Sequence, residues 1–145
     1  GMDEFKQWLG KVRDCLLRKP TGQAHTLSKG TQAEQIAARF LQKKGLCILD
    51  RNFRCKGGEI DLIAEDHGTV AFIEVRLRSH AGFGGAAASI TPTKQQRILR
   101  AAGFWFKTKG RTYLTCPCRF DALLLDALAE MHCEWIQDAF RERSG

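Results

Sequence analysis

Apolar and polar positions change period along this chain, and the changes mark out its elements. Residues 3–19 place Phe5, Trp8, Leu9, Val12, Cys15 and Leu16 on one helical stripe, with Lys6, Lys11, Arg13 and Arg18 away from it. Such a helix covers a core, packs on a second subunit or lies on a membrane surface. The stretch "KPTGQAHTLSKG" (19–30) has the Pro, Gly and small polar residues of a linker. A second helix is expected from Thr31 to Lys44, with Ala33, Ile36, Ala37, Phe40 and Leu41 as its stripe and Gly45 as its stop.

The period then drops towards two. "LCILDRNFR" (46–54) reads as a strand, and "GGEIDLIAEDHGTVAFIEVRLR" (57–78) reads as two more around a His67-Gly68 turn. After the small-residue loop 80–90, Thr91 and Pro92 form an N-cap and first-turn pair for a helix to about Lys107. "RFDALLLDAL" (119–128) is an apolar, central strand. "MHCEWIQDAF" (131–140) is a last strand or helix, with strand favoured for its first half. This order predicts an α/β fold: a mixed sheet of antiparallel meander plus crossover strand, flanked by helices. The expected division is an N-terminal helix and linker at 1–29 and a domain at 30–140.

The hairpin fixes a register. With His67 and Gly68 as the turn, Asp66 pairs with Thr69, and by the same count Asp61 lies opposite Glu74 and Glu59 opposite Arg76. Alternation puts Ile60, Leu62 and Ala64 on one apolar face with Ala71, Ile73, Val75 and Leu77. The other face carries Glu59, Asp61, Glu74, Arg76 and Arg78 at the end far from the turn. Opposed carboxylates have Cβ atoms about 4.5–5.5 Å apart, so one takes a proton or a cation sits between them. Magnesium suits the second outcome, because it takes one or two carboxylates and completes its shell with water. The plainer alternative is a solvated face with a Glu59–Arg76 ion pair, and the two weigh about equally.

Composition narrows the partners. The 145 residues are 43% hydrophobic and 27% charged, which suits one globular domain rather than a disordered chain. Net charge is +7, which favours a polyanionic partner, nucleic acid above all. No apolar run approaches the roughly 20 residues of a membrane helix. Asp3, Glu4 and Lys6 interrupt any signal-peptide core, so a cytoplasmic protein with no membrane partner is expected. On that reading the six cysteines are reduced thiols, and Cys116-Pro117-Cys118 lacks common zinc spacing.

"GEIDLIAED" followed by "FIEVRLR" resembles the YraN family of small bacterial proteins, whose pattern resembles the PD-(D/E)xK motif of restriction-endonuclease-like nucleases. The likeness extends to "GTQAEQIAARFLQKKG" (30–45), "NFR" (52–54), "FG" (83–84), Lys94 and "RFD" (119–121), and spans roughly residues 30–126. It implies a core of helix, three-stranded meander, helix and strand. It also implies that Asp61 and Glu74, with the Val75 carbonyl nearby, hold Mg²⁺ or Mn²⁺, which activates water for attack on a phosphodiester. Glu34 matches an acid on the first helix of related nucleases and would assist through water. Its local alternative is a Thr31-x-x-Glu34 capping box.

Arg76 stands where the motif has lysine. Arginine stays charged, so it can stabilise charge on the phosphate but cannot serve as a base; Lys94 could supply a migrated amine. Arg54, Lys56, Arg78, Lys94, Arg97 and Arg100 are the candidate phosphate contacts. The resulting expectation is a magnesium-dependent DNA endonuclease, and cleavage of branched DNA would favour a homodimer. Its rivals are a nucleic-acid-binding protein with a weakened site and a non-nucleic-acid interaction protein using the N-terminal helix. His67 reads as a turn residue, and Phe104 and Trp105 as core.

Overall fold

The computed structural model describes residues 27–78 and 90–142, together with Glu4, Lys6 and Gln7. Those three are helical and exposed. The whole N-terminal apolar stripe, most of the linker and most of the 80–90 loop lie outside the described residues. Five strands form one sheet in the order β1-β2-β3-β4-β5: Cys47–Cys55, Gly58–Asp66, Thr69–Leu77, Cys118–Leu125 and Cys133–Phe140. Neighbours are antiparallel except β3 and β4, which are parallel and joined by a helical crossover. Helix α1 (Lys29–Lys43) covers one face and helix α2 (Pro92–Lys107) the other. The fold is α/β and restriction-endonuclease-like, as the element pattern and the resemblance imply.

Two apolar layers hold it. Ala33, Ile36, Ala37 and Leu41 of α1 bury against Ile48, Leu62, Ala64, Ala71, Ile73 and Leu123. Ile98, Ala101 and Trp105 of α2 bury against Ile63, Val70, Phe72 and Phe120. Both faces of the middle of β2 and β3 are therefore apolar, and charge gathers at the two ends. Gly58 lets α2 come close: a Cβ there would run into the Arg97 carbonyl.

Several local expectations change. The N-cap of α1 is Ser28, whose hydroxyl accepts from the Thr31 amide at 3.2 Å, so Thr31 and Glu34 form no capping box. The last segment, left open between strand and helix, is strand from Cys133 to Phe140 after a short 3-10 turn at Glu130–His132, so the strand favoured for its first half continues through the second. Phe104 is exposed, its ring 6.2 Å from that of Phe53, while Trp105 is core. Cys47 is disulfide-bonded, against the expectation of thiols throughout; Cys55, Cys116, Cys118 and Cys133 are free.

Ile60 also departs from alternation. It packs with Phe53 and Ile63 on the α2 side rather than with Leu62 and Ala64. The cause is a fork in the sheet. The β2–β3 ladder follows the expected register from Asp66↔Thr69 to Leu62↔Ile73 and ends there. Beyond it β2 stays paired with β1 alone, and β3 with β4 alone. Freed from β3, the end of β2 follows the strand twist towards α2.

Candidate active site at the fork in the sheet

Asp61 and Glu74 are the first residues past the fork. They do not close a further ladder step. Instead Asp61 Oδ2 accepts a 2.8 Å hydrogen bond from the Val75 amide, so a side chain takes the place of a main-chain acceptor. That bond ties the two strands together where their ladder has opened. Glu74 is buried, and its Oε2 has no hydrogen-bond partner among the described residues.

The charges divide unevenly around this pair. Lys94, in the first turn of α2, donates from Nζ to Glu59 Oε1 at 2.9 Å and lies 3.8 Å from Glu74 Oε1. Thr91 fixes that turn by accepting from the Lys94 amide at 3.1 Å. Arg76 Nε is 3.9 Å from Glu74 Oε1, too far for a hydrogen bond, and is buried without another acceptor among the described residues. The expected Glu59–Arg76 pair gives way to Glu59–Lys94 and a 3.6 Å contact from Arg97 Nε.

A cavity of about 250 Å³ opens beside the fork, lined by Glu34, Asn52, Arg54, Glu59, Asp61 and Lys94. Phe53 and Ile60 supply its apolar part. Glu34 thus reaches the same space as Asp61, from the other side of the sheet's open end. Sequence reasoning did not single out Asn52, although "NFR" belonged to the resemblance. It sits in the left-handed region at φ 51, which asparagine tolerates better than most residues.

Three of the acids hold protons more tightly than usual. Burial pushes Glu74 up to about 7; the Asp61 charge adds to the rise, and Lys94 and Arg76 oppose it. Burial raises Asp61 as well, against the Val75 hydrogen bond and Lys94. Glu34 is raised by burial and by Asp61, while the Asn52 amide and Arg54 pull it back. Glu59 goes the other way, held low chiefly by its hydrogen bond from Lys94.

The donor set fits a hard, water-rich cation. Among the described residues no three His, Cys, Asp or Glu side chains converge as a complete ligand set. Two carboxyl groups do meet, one with an unsatisfied buried oxygen. Magnesium or manganese bound there would draw its remaining ligands from water. Of the candidate phosphate contacts, Arg54, Lys94, Arg97 and Arg100 lie on the elements beside the site, and Arg100 Nη1 also donates to the Gly57 carbonyl at 3.2 Å. Lys56 is exposed between β1 and β2. Arg78 lies apart: it is held by Asp126 at 2.9 Å and Glu134 at 3.1 Å, towards β5.

Comparison with known proteins places this arrangement. Residues 33–125 match the family model described as "Uncharacterised protein family UPF0102". The chain belongs to the UPF0102 family. That is the YraN family of the sequence resemblance. UPF0102 proteins of Nitrosomonas europaea and Nitrosomonas eutropha are each 50% identical to it, over 79% and 81% of this chain and 95% and 97% of their own. One of Methylobacillus flagellatus is 49% identical over 77% of this chain and 95% of its own. The UPF0102 segment runs from α1 through β4, so it holds every residue at the fork and leaves β5 outside.

Proposed function

We propose that this UPF0102 protein is a divalent-metal-dependent nuclease that hydrolyses DNA phosphodiesters, with Asp61 and Glu74 as the metal-holding pair. The observation that carries this reading is the buried Glu74 carboxyl beside Asp61, one oxygen left open, next to a polar cavity flanked by cations. Bound magnesium or manganese would offset the two carboxylates, draw charge from the phosphate and make a water more acidic.

The chain's own residues have separable tasks. Val75 holds Asp61 in place through its amide. Lys94 faces the cavity and offers a charge to a phosphate oxygen. Glu34, raised and on the same cavity, can carry a proton that water gives up. Arg76 remains charged and so acts on Glu74 and the phosphate only electrostatically. Arg54, Arg97 and Arg100 extend positive charge along the path a DNA backbone would follow.

The test is cutting of supercoiled plasmid, labelled duplex and four-way junction in Mg²⁺ or Mn²⁺. Wild type nicks at least one of these, and Asp61→Ala falls by about 100-fold or more. Equal rates in the two proteins exclude the mechanism. Arginine at position 76 favours one second reading: a DNA-binding protein that has lost cleavage. It gives salt-sensitive affinity with no cutting under any divalent metal.

A further inference from the structure

We propose that Glu59 is the resident counter-anion of the site: its carboxylate holds, between Lys94 and Arg97, the place that a substrate phosphate takes. Glu59 thereby sets how tightly the cavity binds a polyanion. The inference rests on reading the cavity as a nucleic-acid site.

One oxygen, Glu59 Oε1, receives the Lys94 ammonium at 2.9 Å and faces Arg97 Nε at 3.6 Å. Arg54 lies directly across from Glu59 on β1. Two cations thus hold a single carboxylate that lines the cavity, and Arg54 adds a third charge to the cavity wall. Asp61 and Glu74 differ from it in burial. Glu74's side chain is 7% exposed, whereas that of Glu59 is 35% exposed and open to exchange with solvent anions.

A pair this exposed adds little to folding. Its effect on a ligand is larger. A phosphate approaching Lys94 and Arg97 must displace Glu59 from both and meets its negative charge until it does. The carboxylate keeps Lys94 on the cavity wall and Arg97 beside it while no substrate is present. It also taxes any anion too weakly charged to displace it.

Fluorescence anisotropy of labelled duplex and four-way junction, in EDTA across a series of NaCl concentrations, tests this without metal or cleavage. Wild type is compared with Glu59→Gln, Glu59→Ala, Lys94→Gln and the Glu59→Gln/Lys94→Gln double variant. Both Glu59 variants should bind about tenfold more tightly at low salt. Their salt slope should steepen by about one. Most of that gain should vanish in the Lys94→Gln background. Unchanged or weaker binding by the Glu59 variants, while wild type binds, overturns the inference and leaves the nucleic-acid reading standing. A gain undiminished without Lys94 also overturns it, because any lost negative charge would then do the same. Absence of binding by wild type and all variants at low salt overturns the nucleic-acid reading and this inference with it.

Discussion

Asp121 and Glu74 are buried carboxyl groups one step apart on the β3–β4 ladder, where Asp121 pairs with Ile73 and Glu74 with Ala122. Their surroundings are opposite. Asp121 is fully enclosed and fully used: it accepts from Arg119 Nε at 3.1 Å, Trp135 Nε1 at 3.0 Å and the Asp138 amide at 2.9 Å. Arg119 is further held by Asp66 at 2.8 Å, so the cluster ties β4 to β5 and to the β2–β3 turn. Glu74 has cations at 3.8 and 3.9 Å and an oxygen with no partner. A buried acid that serves the fold is saturated with donors. Glu74 is left incomplete, as the proposed metal-holding role requires, and its raised proton affinity records the cost.

The sharpest way to separate the two is to remove each. Asp121→Ala leaves the Trp135 indole N–H and the Asp138 amide without their acceptor inside the protein and takes from Arg119 one of its two carboxylates. It should cost about 3–5 kcal/mol in urea unfolding. Loss of less than about 1 kcal/mol would mean that the network is not structural.

Glu74→Gln should do the reverse, with a pH signature. The folded pKa of Glu74 stands at about 7, above its ordinary 4.5. Its contribution to stability is therefore complete below about pH 4.5 and lost as pH rises through 7. Relative to wild type, Glu74→Gln should gain stability across that window, by up to about 3 kcal/mol. Thermal melts of both proteins from pH 4.5 to 8 read the difference directly; a constant difference breaks the contrast with Asp121. Arg78→Ala should have the smallest effect. It breaks surface pairs to Asp126 and Glu134, costs no more than about 1 kcal/mol and leaves DNA affinity unchanged.

The hairpin was legible because its register is local. His67 and Gly68 lie in the left-handed region, at φ 49 and 91, as the two-residue turn requires, and alternation carries the pairing back to Leu62↔Ile73. The start of α2 was legible for the same reason, since Thr91 and Pro92 act within one turn. What failed depends on distant chain. Nothing local separates Ser28 from Thr31 as a cap; packing of the whole helix chooses. Past Leu62, β2 stays with β1 and β3 stays with β4, a partner far away in sequence, and Ile60 turns towards α2. Arg78 is claimed by Asp126 and Glu134, which lie 48 and 56 residues away in sequence. At the site, the motif order pointed to Asp61, Glu74 and Glu34. The Glu59–Lys94 bond joins residues 35 apart and needs the placement of α2 to be seen.

Manganese binding tests the central claim most directly, because it asks for the cation without asking for cleavage. Paramagnetic resonance of free Mn²⁺, titrated with protein at pH 6 and pH 8, measures the occupied fraction. Wild type should take up Mn²⁺ more tightly at pH 8, since the ion must displace the proton that Glu74 holds to about pH 7. Asp61→Asn and Glu74→Gln should leave the free-ion signal nearly intact at both pH values. Equal uptake by wild type and both variants, or none by folded wild type at pH 8, would contradict the account.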